Sequence, residues 1–243
     1  MKQYLNSIII GITVIIAGYA LSSTFAKRVK ADDSITVTGL GSTNFKADLA
    51  IWSAGISALQ LDLKEAYAVL AAKKEKVKSY LISKGIKEQQ ITSSSITIDK
   101  GFKNVFDGNG NQIGSEFIGY DLKQTIRIES HDVTRIENIS REISELIHSG
   151  IEITTFEPEY YYTKLADLKL EMISKATEDA YKRAKKVAEH AGSSLGNLKS
   201  ASTGVFQIIG QNTNEEYEFG GSFNTASIRK TATVTVRLSY NID

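Results

Sequence analysis

The sequence predicts an α+β fold: mixed, largely antiparallel sheets packed against about three helices, behind an N-terminal apolar signal or anchor segment. Three observations lead there. Several segments alternate apolar and polar residues with a period of two, most strictly Ala232, Val234, Val236, Leu238 and Tyr240 against Thr231, Thr233, Thr235, Arg237 and Ser239. Three longer segments carry apolar residues at helical spacing and end at a glycine. Gly108 and Gly110 join two strand-like runs through a short loop, which favours antiparallel neighbours and helices on one face.

Taken in order, Ser34 to Thr38 reads as a short strand followed by a turn at Gly39-Leu40-Gly41. Leu49 to Leu59 alternates, with Trp52, Ala54, Ile56 and Ala58 on one face. Asp62 lies three residues before Glu65, a capping-box pattern. The helix it opens runs to Gly85, with Leu63, Tyr67, Leu70, Val77 and Leu81 as its stripe. Ile91 to Phe106 and Phe117 to Glu129 read as the strands flanking the glycine loop, the second alternating at Leu122, Ile126 and Ile128. Asp132 caps a second helix with Ile136, Ile139, Ile143 and Leu146 inward and Gly150 at its end. Ile151 to Thr163 reads as one strand. The third helix spans Leu165 to Ala191, with Leu165, Leu168, Met172, Ala176, Ala180, Ala184, Val187 and Ala191 inward. Its outer face offers Glu171–Lys175, Glu178–Lys182 and Asp179–Arg183 at i,i+4. Val205 to Ile209 is a further strand. Gln211 to Asn224 is polar and reads as a mobile loop.

The first 30 residues read differently. Residues 3–26 carry no charge, and Ile8 to Leu21 is a dense apolar run behind Lys2. That is the layout of a signal sequence. Cleavage after Ala26, with Thr24 three positions back, is one outcome. Retention is the other: as a helix, residues 3–26 would be about 36 Å long against a bilayer core of about 30 Å. Lys27, Arg28 and Lys30 weaken an orientation with the N-terminus inside. Both outcomes stay open, so residues 1–30 form a signal peptide or signal-anchor with a short linker and residues 31–243 form the body. The protein is expected in the periplasm or cell envelope, exported, and if uncleaved anchored to the inner membrane by residues 5–26.

Composition narrows the chemistry. Of 243 residues, 42% are hydrophobic and 23% charged, with a net charge of +1, so no global field draws nucleic acid. Cysteine is absent, which removes disulfides, a thiol nucleophile and a thiolate metal site. The three histidines, His131, His148 and His190, have no histidine partner at ligand spacing and sit near helix ends, where a structural role suffices. Asp107, Asn109 and Asn111 imitate an EF-hand opening, but Gln112 replaces the required glycine and Ile118 the glutamate, so a hairpin turn is the reading. Lysine runs at Lys73 to Lys78 and Lys182 to Lys186 are solvated helix faces. Gly39-x-Gly41 lacks the rest of a dinucleotide fingerprint, and no nucleophile elbow or P-loop occurs. No catalytic, metal or cofactor residue is therefore assigned. Tyr160, Tyr161 and Tyr162 are the unusual local feature. On a strand the outer two share a face, either as sheet packing or as an aromatic surface for self-association.

Short motifs then add up in order. Ile35-Thr-Val-Thr-Gly-Leu-Gly-Ser42 opens the body, Gly85-Ile86 follows the first helix and Gly119-Tyr120 begins the return strand. Ala176, Asp179-Ala180, Arg183-Ala184, Ala188 and Gly192 mark an alanine-rich helix with a closing glycine. Together these resemble the SIMPL-domain family, the YggE-like bacterial envelope proteins, from about Ile35 to Tyr240. Two departures stand out: Lys46-Ala47-Asp48 lacks the family's proline, and Ser149-Gly150-Ile151 reduces its Gly-Ala-Asn. The resemblance implies an exported α+β protein inclined to self-associate, loosely linked to envelope and oxidative-stress physiology, with no catalytic residues to carry over. The expected function is a noncatalytic envelope protein that forms a homo-oligomer or binds partners. The alternative is an envelope hydrolase or small-molecule-binding enzyme with convergent polar groups in a pocket.

Overall fold

A computed structural model describes residues 11–13, 15–19, 22 and 34–242. The first nine of these are helical, and among the described residues no helix is long and apolar enough to cross a membrane. The cleavage position after Ala26, Lys2 and the basic residues Lys27, Arg28 and Lys30 lie outside the described residues.

The body runs β1 (Ser34–Lys46), β2 (Leu49–Gln60), α1 (Leu63–Ser83), β3 (Ile91–Ser93), β4 (Thr97–Phe106), β5 (Gln112–Ser130), α2 (Val133–Glu142), β6 (Ile153–Thr155), β7 (Glu159–Tyr161), α3 (Leu165–His190), β8 (Leu195–Thr203), β9 (Gln207–Gly210) and β10 (Arg229–Ile242). The strands form two sheets, and every pairing of named strands is antiparallel. The fold is α+β, as the alternation and the helical stripes require.

In the first sheet β10 is central, with β1 along one edge and β8 and β9 in succession along the other. Ala232, Val234, Val236, Leu238 and Tyr240 face α3, which meets them with Leu168, Met172, Ala176, Ala180 and Ala184. The alanines let the helix lie close, and two glycines let it lie closer. A Cβ at Gly39 would stand 2.2 Å from the Ala176 carbonyl oxygen, and one at Gly41 would stand 2.4 Å from that of Met172. The turn expected at Gly39-Leu40-Gly41 is therefore not a turn. The glycines sit in the middle of a 13-residue strand because the α3 backbone occupies the space a side chain would need. On α3 the inner stripe ends at Ala188 rather than Val187 and Ala191, both of which are exposed. The three outer ion pairs form as expected, at 2.6, 2.6 and 2.9 Å.

In the second sheet β2 and β5 are central. β3 and β4 follow one another along the outer edge of β5, and β6 and β7 along that of β2. With α1 and α2 the order is β-α-β-β-α-β, a split arrangement that puts both helices on one face. Trp52, Ala54, Ile56, Leu122, Ile126 and Ile128 meet Leu70, Val77 and Leu81 of α1 and Ile136, Ile139 and Ile143 of α2. Asp62 and Asp132 cap these helices, accepting from the backbone N–H of Glu65 and Arg135. Leu63 and Tyr67 are exposed; Ala66 takes the inward position at the start of α1.

Two expected strands are each broken in two. Between β3 and β4 the Ser94 hydroxyl accepts the Thr125 N–H at 3.0 Å. Between β6 and β7 the Phe156 carbonyl accepts the Trp52 indole N–H at 2.9 Å, and Pro158 has no N–H to give a ladder. The sequence reading has no counterpart to β8, an edge strand whose residues are mostly exposed.

Candidate functional site

The three tyrosines do not share an aromatic face. Tyr160 is 6% exposed and belongs to the second core, and burial raises its phenol above the usual range. The Tyr161 hydroxyl donates to Glu159 Oε2 at 2.9 Å, and its ring lies 6.4 Å from Phe223. Tyr162 packs against the first core, 4.9 Å from Phe45. The expected pairing of Tyr160 with Tyr162 fails because β7 ends at Tyr161. The chain then passes from one layer to the other, and Tyr160 N–H donates to the Thr225 carbonyl at 2.7 Å on the way. One copy of the chain thus already engages all three rings.

The polar candidates are equally committed. His131 Nδ1 lies 2.7 Å from the Asp48 carbonyl oxygen, while the Asp48 carboxylate accepts from Thr163 N–H and Oγ1, both at 2.7 Å. Asp107 accepts from the backbone N–H of Asn111 and Asn109 and from the Asn111 side chain. These bonds, the backbone of Asn111 first, hold its carboxyl below the ordinary range. The segment is a hairpin turn, as read. Among the described residues no group of three or more His, Asp or Glu side chains is placed to hold a metal. Where the two layers meet, Glu137, Arg141, Phe156, Glu157, Tyr160 and Ile228 help line a cleft of about 530 Å³. Arg141 there is held by Glu137 at 2.5 Å.

Sequence reasoning missed one buried cation. Lys230, 1% exposed, donates to the carbonyl and side-chain oxygens of Asn224. Asn224 Nδ2 reaches Glu215 Oε1 at 2.5 Å, and Glu215 Oε2 takes the Gly210 N–H at 3.2 Å. Burial pushes the Lys230 ammonium down to about 8, against the opposing attraction of Glu215. The network ties down the 211–224 loop, which Gln207 also holds through Ser222 and Glu218. The signal was available: Lys230 shares the parity of Ala232 and Val234, the buried face of β10.

Among the described residues, the far end of the β4–β5 hairpin belongs to neither core. β2 pairs with β5 only as far as Tyr120, opposite Gln60. Beyond that point residues 101–119 form a two-stranded ribbon, with no third strand among the described residues. Gly119 sits at its base with φ +137°, and a Cβ there would lie 2.4 Å from the Gln60 carbonyl oxygen. Only glycine allows the ribbon to leave the sheet so closely past β2. The register skips Ile118 and then Ile113, both on β5, so β4 keeps its strict alternation. Ile98, Phe102 and Phe106 therefore share one face of β4, and each is more than half exposed. Phe102, Phe117 and Tyr120 stack edge to face, with centroids 5.7 and 5.3 Å apart. Ile113, Phe117 and Ile118 on β5 are also exposed. A two-stranded ribbon by itself is marginal in water, and a large exposed apolar patch is uncommon on a soluble monomer.

A family model, SIMPL (protein of unknown function, DUF541), matches residues 35–240. No curated protein matches the chain.

Proposed function

The chain belongs to the SIMPL (DUF541) family, and from that premise we propose that it is a noncatalytic cell-envelope protein that associates with itself through the β4–β5 arm. The observation that carries this reading is the apolar ribbon of residues 101–119, which one copy of the chain leaves without a covering layer. A stable soluble protein exposes apolar residues singly; a contiguous run of them on a projecting element fits an interface. The noncatalytic part is supported by the use already made of the polar groups, since Asp48, His131, Asp107 and Arg141 each serve a local contact. Export is supported by the uncharged residues 3–26. The link to oxidative-stress and envelope physiology rests on the family resemblance alone.

The test is the mass of the full chain, held in a mild detergent at tens of micromolar, measured by light scattering beside a Phe102→Ser, Phe106→Ser variant. The reading expects an oligomer that the paired substitution dissociates while circular dichroism is unchanged. A wild-type chain that stays monomeric at that concentration removes it.

A further inference from the structure

We infer that two copies pair through their β4 strands, antiparallel about a two-fold axis at Phe102, so that one sheet runs continuously from arm to arm. The inference rests on the proposed self-association and names the surface that performs it.

The argument begins with the backbone. β4 bonds to β5 on one side only, and among the described residues no other strand pairs with it. Its outer edge is a ten-residue row with unmatched peptide groups. A long edge with an apolar row is the kind that recruits another strand, and natural edges usually carry a bulge, a proline or an inward charge against this. β4 has neither bulge nor proline, since both irregularities fall on β5; its edge charges are Asp99, Lys100 and Lys103, and the register decides whether they oppose a second strand.

Side chains then select the partner and the register. In an antiparallel pair centred on Phe102, Phe102 faces its own copy and Ile98 faces Phe106 twice over. Lys100 falls opposite Asn104, Lys103 opposite Gly101 and Asp99 opposite Val105, so no like charges meet. Neighbouring registers are worse. A two-fold axis normal to the sheet opposes only residues of like parity, so the axis must pass through a residue, and a centre at Lys103 sets that lysine against itself. A centre at Gly101 carries Phe106 past the end of the partner strand. It also asks Asp99, already bonded to Lys123 at 3.2 Å, to serve a second lysine. The strand is thus complementary to itself in one register that uses its whole apolar row. The ring of one Phe102 brings with it the stacked Phe117 and Tyr120, widening the contact beyond the edge.

Charge exchange at the axis tests this. Full-length Phe102→Glu and Phe102→Lys proteins each place like charges face to face, so each alone should be monomeric. Mixed in equal amounts they should recover the wild-type dimer contact. Phe102 is more than half exposed, so neither change empties the core, and circular dichroism confirms the fold. The absence of native cysteine provides a second arm. Phe102→Cys should form a disulfide-linked dimer under mild oxidation, whereas Ile113→Cys, on the other strand of the ribbon, should not. Four results overturn the inference. If wild type and both charge variants all remain oligomeric, the chain self-associates elsewhere. If both variants are monomeric and their mixture also stays monomeric, Phe102 matters but does not face itself. If Ile113→Cys links and Phe102→Cys does not, the arms meet by their tips. If the wild type is itself a monomer, the self-association reading falls with the pairing, leaving the edge to an extended segment of another protein.

Discussion

At Gly39 an added methyl group would meet main chain rather than a yielding side chain: the Ala176 carbonyl oxygen at 2.2 Å and the Ala180 nitrogen at 2.4 Å. Gly39→Ala is therefore expected to cost about 1–3 kcal/mol through overpacking, read as a lower urea midpoint. An unchanged midpoint would mean that β1 and α3 are further apart than described. Lys230 makes a second prediction. Its ammonium titrates at about 8 in the folded chain against an ordinary 10.5. Between those values the unfolded chain binds more protons, so stability rises with pH across the interval and is flat below it. Lys230→Met should remove that rise, leaving the wild-type-minus-variant difference to change between pH 8 and 10.5. A difference that is constant over the interval would contradict the buried ammonium. Neither role is legible in the sequence, for opposite reasons. Gly39 looked like a turn because glycine is the usual turn residue, and only the neighbouring helix reveals its use. Lys230 hides because a cation is unusual on a buried parity, although its neighbours mark that parity plainly.

Among the elements, α3 was the most legible. Its stripe as far as Ala184, its three ion pairs and its closing glycine follow from spacing, and Ala176, Ala180 and Ala184 are fully buried. Ala180→Leu should lower stability by about 1–3 kcal/mol, and because Ala180 touches the Gly39 position the two substitutions should not be additive. Full additivity in a double-mutant cycle would show that they do not share one contact. β8 was illegible because its polar and small residues form an exposed edge with no apolar face to reveal a period. The arm was hidden for the reverse reason. Phe102, Phe106 and Ile113 look like core residues in a strand, and only the end of β2 pairing at Tyr120 shows that they lie outside the body. The shared face expected of Tyr160 and Tyr162 is absent because alternation predicts faces only while a strand continues, and β7 stops at Tyr161.

Two sheets, the first packed on α3 and the second on α1 and α2, each with its own core, make up residues 34–242. They are joined where Ala47 N–H donates to Ile228, Asp48 N–H to Tyr161 and Tyr160 N–H to Thr225, all between 2.7 and 2.9 Å. None of these bonds involves a residue of the ribbon at 101–119. A second copy on the ribbon would be reported by amide hydrogen exchange of the full chain across a dilution series. Covered, residues 101–119 should be protected at high concentration and lose that protection on dilution, while the buried strand β10 stays protected throughout. Exchange in residues 101–119 that is rapid and the same at every concentration would show a bare ribbon and contradict the account.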